Sequence, residues 1–292
     1  MSEGNPLSRS SPTLTIIRHL WGLDGHWRDW LTKIKASGYA GVEGPPPADS
    51  DAFAAALRAL DLHYVCQIVT HASDRSATGH FQSFKSQIEA ASPLSPLFFT
   101  SHSGVDMWPL DESRRFLSNA LTYAAKQGLD VSHETHRGRI FFNPRDTLQL
   151  LSEFPDLQLT ADLSHWVNVC ERIPDDATLG LALLAPHIRH IHGRVGYAQG
   201  PQVPDPRAPA YALELAAHER WWAEIWRIRI GAGQRQLTLT PEFGPPPYQQ
   251  TSPYTALPLA DPWDVSLWMA ARLRERFAHT FPQGESPLLK GM

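Results

Sequence analysis

Cysteine is scarce in this 292-residue chain, which carries only Cys66 and Cys170. Two thiols that far apart supply neither a disulfide framework nor a CxxC zinc signature, so the composition fits a reducing compartment better than a disulfide-stapled secreted fold. Basic charge is not in excess either: 26 Lys and Arg stand against 30 Asp and Glu, a formal charge of -4. The positive residues are scattered, so no nucleic-acid surface is signalled. The polar opening MSEGNPLSRSSPT is not followed by a long apolar run. Neither a signal peptide nor a membrane span is therefore expected, and a cytoplasmic location is the default. No GxGxxG follows the first apolar segment and no compact glycine-rich phosphate nest appears, which weighs against dinucleotide binding and phosphorylated substrates.

What the chain does contain is a repeated alternation of short apolar runs with amphipathic stretches. LTIIRHL, YAGVE, LHYVCQI, PLFFTS, LDVSHE, LQLTAD, IRHIH and QLTLTPE read as eight strands. Helices are predicted near residues 25 to 37, 50 to 60, 79 to 91, 111 to 127, 143 to 154, 174 to 185, from Tyr211, and 263 to 278, with Pro, Asp and Ser at several entrances. Mostly apolar strands suit a sheet covered on both faces, and eight similar units favour closure over an open doubly wound sheet. The expectation is an α/β protein with a single (β/α)8 TIM barrel over residues 13–280, a flexible leader over 1–12 and a tail over 281–292. No compositional shift divides the chain further.

Four of the predicted strand ends carry an acid or an imidazole: Glu134 in VSHETHR, Asp162 in LTADLSHW, His192 in IRHIHGR and Glu242 in LTLTPEFG. A closed parallel barrel gathers its strand C-termini at one mouth, where these groups would form a mixed oxygen and nitrogen site for a divalent cation. Each residue alone reads equally well as a helix cap or a packed hydrogen bond, and it is the repetition over strands five to eight that tips the balance. Three carboxylates favour Mn²⁺ or Mg²⁺, with Mn²⁺ preferred, and the imidazole admits Co²⁺ or Zn²⁺. Such an ion would polarise a hydroxyketone and acidify its neighbouring C–H, while Glu134 and Glu242 exchanged protons with the substrate.

Further residues are candidates for substrate contact. His165 lies three residues beyond Asp162, His102 follows the fourth strand and Glu43 the second; loop fixation or capping is the plainer role for each. Trp108 and Trp166 lie just past strand ends, unlike most of the ten tryptophans, whose ordinary role is packing. HETHRGR sets His136, Arg137 and Arg139 beside Glu134. Arg137 is a candidate for an oxyanion or acidic group, whereas Arg139 fits a surface ion pair better. Arg194 precedes a Gly- and Pro-rich loop and could reach a ligand on closure, with Tyr197 shaping access. The helix bearing Trp221, Trp222 and Trp226 offers a contact face for a homo-oligomer.

Glu134, the D162-L-S-H165 segment, His192 in HIH and Glu242, in that strand order, resemble the xylose-isomerase-like TIM-barrel superfamily, particularly the sugar isomerases and epimerases related to tagatose epimerase and hydroxypyruvate isomerase. The resemblance spans most of residues 13–280. It implies a divalent ion on Glu134, Asp162, His192 and Glu242, proton transfer by the two glutamates, and substrate contact by His165, His102 and Glu43. GRVGYAQG departs from the pattern, lacking the acid that many relatives carry soon after this histidine. The expected activity is metal-dependent isomerisation or epimerisation of a keto-sugar or related hydroxyketone through an enediolate, on a small-molecule carbohydrate or polyol. A metal-dependent lyase or dehydratase of a cyclic keto-polyol or keto-glycoside is the alternative. An abasic-site endonuclease and a noncatalytic small-molecule-binding barrel rank lower.

Overall fold

The strands are β1 (Thr13–His19), β2 (Gly41–Gly44), β3 (His63–Val69), β4 (Phe98–His102), β5 (Val131–Glu134), β6 (Leu159–Ala161), β7 (Ile188–His192) and β8 (Gln236–Thr240). In this computed structural model, which describes residues 11–282, each strand pairs in parallel with the next in sequence. β8 closes on β1 from Thr13↔Gln236 to Ile16↔Leu239. All eight expected strands are present and the fold is the (β/α)8 barrel. The expected leader and tail lie outside the described residues except for residues 11, 12, 281 and 282.

The outer layer comprises α1 (Trp27–Ala36), α2 (Ser50–Ala59), α3 (Ala77–Ala91), α4 (Leu110–Gln127), α5 (Pro144–Glu153), α6 (Ser164–Val169), α7 (Asp176–Leu179), α8 (Leu181–Leu184), α9 (Ala212–Gly231) and α10 (Pro262–Thr280). Local chemistry sets many of their ends. Asn143 accepts from the Asp146 N–H at 2.9 Å and Pro144 opens α5, while Gly128 stops α4 in the left-handed region at φ 64°.

The single helix expected over 174 to 185 is instead α7 and α8. Gly180, at φ +58°, breaks it, and a Cβ there would lie 2.4 Å from Leu148. Close packing on α5 thus takes precedence over helical continuity. The short α6 was not anticipated; it starts two residues after Asp162, too close to the strand end for a separate periodic signal.

Alternation along each strand sorts side chains between lumen and helix layer. Ile16, Val42, Tyr64, Cys66, Phe99, Leu159, Ile191 and Leu239 belong to the main core, whereas Ile17, Val65 and Phe98 form a separate buried cluster. Above that cluster the lumen is polar, contrary to the apolar interior expected. Thr100, Ser132 and Thr160 share hydroxyl hydrogen bonds of 2.7 to 2.9 Å, and His190 lies between Thr238 and Thr240 at 2.7 and 3.0 Å. The next inward position on most strands is a titratable residue.

Trp221, Trp222 and Trp226 are no surface for a partner: all three are buried in the main core. On the same helix, His218 donates from Nδ1 to the Glu214 carbonyl at 2.8 Å and accepts from the Gly196 N–H at 3.3 Å. Gly196 has no room for a side chain, since a Cβ would meet the Ser164 carbonyl at 2.5 Å. The segment after β7 is therefore clamped between α6 and α9.

Burial lowers the His218 pKa from 6.5 to about 4. The unfolded chain takes up this proton below pH 6.5, whereas the fold refuses it until about pH 4. The stability due to neutral His218 is accordingly complete above pH 6.5 and lost as pH falls through 4, about 3 kcal/mol in all. In urea titrations at pH 7 and pH 4.5, His218→Gln should lose distinctly less stability on acidification than the wild type. Parallel losses in both proteins would refute this account.

Candidate metal centre at the barrel mouth

Glu134, Asp162, His192 and Glu242 are brought together at the C-terminal mouth, each offering a ligand atom within 4.8 Å of the others. All four are buried. His192 Nδ1 lies 2.9 Å from Glu242 Oε2 and 3.5 Å from Glu134 Oε1, yet these three atoms make no aligned hydrogen bond among the described residues. Ligand atoms this close but mutually misaligned converge on a common point, which suits a small cation.

A relay beneath the site fixes the imidazole. The Thr240 hydroxyl donates to Glu43 Oε2 at 2.6 Å, and Glu43 Oε1 lies 2.9 Å from His192 Nε2. With Nε2–H directed at Glu43, Nδ1 presents its lone pair to the mouth, the arrangement by which a carboxylate orients a metal-binding histidine. Glu43 is therefore corrected as a candidate for direct substrate contact. It is fully buried below His192, and His190 Nε2 approaches its other oxygen at 3.4 Å.

The charges show how the site balances its carboxylates. Burial opposes ionisation of Glu134 and Glu43, but His102 and His192 around the first, and His192 and His190 around the second, hold both carboxyls well below the usual range. Glu242 is likewise raised by burial but brought down to about 2, chiefly by Arg194 and His192. Asp162 is pushed up to about 6: burial dominates, Arg194 opposes it, and Glu242 and Glu134 add repulsion. Burial resists charge on His192, but Glu43, Glu242 and Glu134 prevail and raise its pKa well above normal. The donor set of three carboxylates and one imidazole fits Mn²⁺ or Mg²⁺ and admits Co²⁺ or Zn²⁺.

A cavity of about 210 Å³ reaches the site at Glu242, the one candidate ligand among its lining residues His19, Trp21, Gln67, His102, His136, Arg194, Glu242 and Tyr248. It is smaller than the roughly 300–1,000 Å³ of pockets for drug-sized ligands, which suits a molecule of monosaccharide size or below. A larger cavity of about 460 Å³ lies between Leu129–Val131 and Phe154–Gln158, at the opposite ends of the strands and away from this chemistry.

Among the predicted contacts, His102 lines the cavity with Nε2 2.5 Å from Glu134 Oε2. His165 is fully buried beside the ligands, 3.0 Å from Arg194 Nη2. Burial, with His136 and Arg194, keeps its pKa well below normal. Arg194 lines the cavity and pairs with Asp162 and Glu242. Arg137 bonds Asn168 at 3.2 Å and lies over the Tyr248 ring, whose other cationic neighbour is Arg194.

The two tryptophans are corrected as pocket residues. Trp166, on α6, is fully buried and donates to the Phe141 carbonyl at 2.9 Å. Trp108 donates to the Arg75 carbonyl at 2.6 Å and packs on His80 and Phe116. Neither lines the cavity, so proximity to a strand end misplaces both. Arg139 is corrected too: it donates to the carbonyls of Thr70 and Gly104, both at 3.0 Å, and joins the loops after β3 and β4.

Sequence reasoning missed His19, Trp21, Gln67 and Tyr248, and left His136 without a role. His19 and Gln67 had a signal, since they occupy inward positions near the ends of β1 and β3. Tyr248 had none: it comes from the proline-rich segment after β8 and meets Trp21 edge-on at 5.0 Å. Gln202 holds this segment through both backbone groups of Gly244, accepting at 2.8 Å and donating at 3.1 Å. The Trp21 ring lies only 2.1 Å from where a Gly244 Cβ would stand.

A family model described as xylose isomerase-like TIM barrel matches residues 31–198. No curated protein matches the sequence. Among solved structures, D-psicose 3-epimerase with D-tagatose from Clostridium cellulolyticum H10 is 9% identical, with TM-score 0.58 over 92% of this chain and 100% of that one. The probable 3-DHS dehydratase involved in petrobactin synthesis from Bacillus anthracis is 14% identical, with TM-score 0.60 over 89% and 98%. A xylose isomerase-like TIM barrel protein from Mycobacterium smegmatis in complex with magnesium is 13% identical, with TM-score 0.56 over 93% and 96%. At these identities the likeness is one of fold.

Mn²⁺ at one hundred times its dissociation constant should stabilise the protein by about 2.7 kcal/mol, which raises Tm by roughly 5 °C in a chain of this size. A chelator should reverse the rise, and His192→Ala should abolish it. Identical melting of both proteins with and without Mn²⁺ would remove the cation from these residues.

Proposed function

The chain belongs to the xylose isomerase-like TIM barrel family, and on that footing we propose that it is a divalent-metal-dependent isomerase or epimerase of a keto-sugar or related small hydroxyketone. The observation that carries this reading is the gathering of Glu134, Asp162, His192 and Glu242, with ligand atoms within 4.8 Å of one another, beside a cavity of monosaccharide size that Glu242 lines. The epimerase fold among its structural relatives supports it.

When bound, the ion, with Mn²⁺ preferred, would polarise a substrate carbonyl and so acidify the adjoining C–H. The remaining work falls to the side chains. Glu134 and Glu242 each have one oxygen among the ligand atoms and a second facing an imidazole: Glu134 Oε2 faces His102 at 2.5 Å, and Glu242 Oε1 faces His19 at 3.7 Å. One carboxylate removes the proton to give an enediolate and the other, after taking up a proton from solvent, delivers it to the opposite face, the first losing its own to solvent to complete the cycle; or a single carboxylate moves the proton between adjacent carbons. Gln67 and His136 offer hydrogen bonds to hydroxyls, and Trp21 and Tyr248 add aromatic surface for the apolar side of a sugar.

A lyase acting on a cyclic keto-polyol would begin with the same proton removal and then need an acid for the leaving oxygen. His102 in the cavity wall favours it as the second reading. The small volume of the cavity argues for a small-molecule partner over a nucleic acid. Among the described residues, no helix is long and apolar enough to cross a membrane.

Metal-free protein reloaded with Mn²⁺, Mg²⁺, Co²⁺ or Zn²⁺ and offered a panel of keto-sugars in D₂O should place solvent deuterium on the carbon next to the carbonyl with all substrate atoms retained. A dehydrated or deglycosylated product would instead establish the lyase. Glu134→Gln and Glu242→Gln should each slow this exchange by about 10²-fold or more, well beyond the effect of Arg139→Ala. Equal rates in all three variants would reject the roles given to the glutamates.

A further inference from the structure

Arg194 stands in an unusual relation to the four ligands. Its side chain is 1% exposed, and Nη2 is bonded to Asp162 Oδ2 while lying 3.3 Å from Glu242 Oε2. The same nitrogen lies 3.0 Å from His165 Nε2, and Nε approaches the Ser164 hydroxyl at 3.3 Å. Tyr248 covers the guanidinium, with its ring centre 4.9 Å from Cζ. Nη1 is buried without a hydrogen-bond partner among the described residues. A fixed monovalent cation thus already engages two of the four residues that would hold a divalent one.

The two cations make competing demands. A divalent ion binds carboxylate oxygens at about 2.0–2.6 Å, so it would draw on the same two side chains that Arg194 bonds and would sit only a few ångströms from the guanidinium. Such a short separation leaves substantial repulsion even after dielectric screening. The opposing charge is considerable, since Glu134 and Glu43 add two buried carboxylates around His192. Without any ion, Arg194 is the fixed positive charge set against them.

We propose that Arg194 is an internal counter-ion of the metal centre. It holds Asp162 and Glu242 in place in the metal-free protein and, by competing with the divalent ion for them, keeps that ion weakly bound and exchangeable. This inference rests on the proposed function only in taking Glu134, Asp162, His192 and Glu242 as the ligands; it does not depend on the substrate or the reaction. It is opposed to the role in which an arginine merely orients a ligand, because removal of an orienting partner typically weakens metal affinity about 10–100-fold.

The two roles predict changes of opposite sign, so metal binding alone separates them. Metal-free wild-type protein and Arg194→Met would be titrated with Mn²⁺ by calorimetry, with free ion followed by electron paramagnetic resonance. The expected result is a dissociation constant lower by about tenfold or more in the variant, as the repulsion of a neighbouring cation is lost. Arg194→Lys, which keeps the charge, should remain within about threefold of the wild type. Arg194→Gln repeats the test should the methionine variant fail to fold. Unchanged or weaker Mn²⁺ binding in the neutral variants would overturn the counter-ion role while leaving the metal centre standing. If the wild type takes up no Mn²⁺, Mg²⁺, Co²⁺ or Zn²⁺, the metal centre itself falls and this inference with it.

Discussion

Four carboxylates buried at one end of a barrel constitute the constraint on which the rest of this structure depends. Glu43, Glu134, Asp162 and Glu242 are almost wholly withdrawn from water, and an uncompensated ion in such a place costs on the order of several kcal/mol. The surroundings of the mouth meet that demand. His190 and His192 serve Glu43, His102 and His192 serve Glu134, and Arg194 serves Asp162 and Glu242. The compensation is incomplete, and Asp162 records this: its pKa is pushed up by burial and by the two neighbouring glutamates even with an arginine at its side. A divalent cation is the simplest further charge that would complete it, and the misaligned ligand atoms mark where it would go.

The same constraint explains what could be read from the sequence. Glu134, Asp162, His192 and Glu242 were legible because a parallel barrel makes strand ends equivalent; finding an acid or imidazole at four consecutive ends is informative once the strands are counted. Parity along a strand carries further information. His19 lies two residues beyond the inward Ile17, and Gln67 two beyond Val65, so both project into the mouth by the alternation that brings Glu134 there. Glu43 satisfies the same rule but lies below His192 instead of facing the cavity. Depth within the lumen depends on the stagger of neighbouring strands, which no single strand's sequence contains.

What remained illegible was made by packing between loops. Trp108 and Trp166 follow strand ends much as His102 and His165 do, yet Trp108 packs against Gly104 and Trp166 is bonded to the Phe141 carbonyl, away from the cavity. Tyr248 reaches the mouth only because Gln202 grips Gly244 from the preceding loop and Gln249 donates to the Pro204 carbonyl at 3.0 Å. Those contacts cross more than 40 residues of sequence and have no periodic signature. The tryptophans of α9 erred in the opposite direction: a helix with aromatic residues on several sides looked like a surface for a partner but is instead enclosed by its own barrel.

These loop contacts also bear on the chemistry. Arg194 leaves β7 two residues after His192, and its direction is set where Gly196 packs on Ser164 and is held by His218. Tyr248 then closes over the guanidinium from the β8 side. The cation nearest the ligands is therefore positioned by two loops fastened to each other through Gln202, and not by the strand that carries it. A rigid barrel supplies the carboxylates, whereas the loops determine how much positive charge they meet before any ion arrives. Separating these two jobs allows the metal site's ligands to stay fixed while its affinity is set from outside the strands, by residues whose placement depends on α6, α9 and the proline-rich segment.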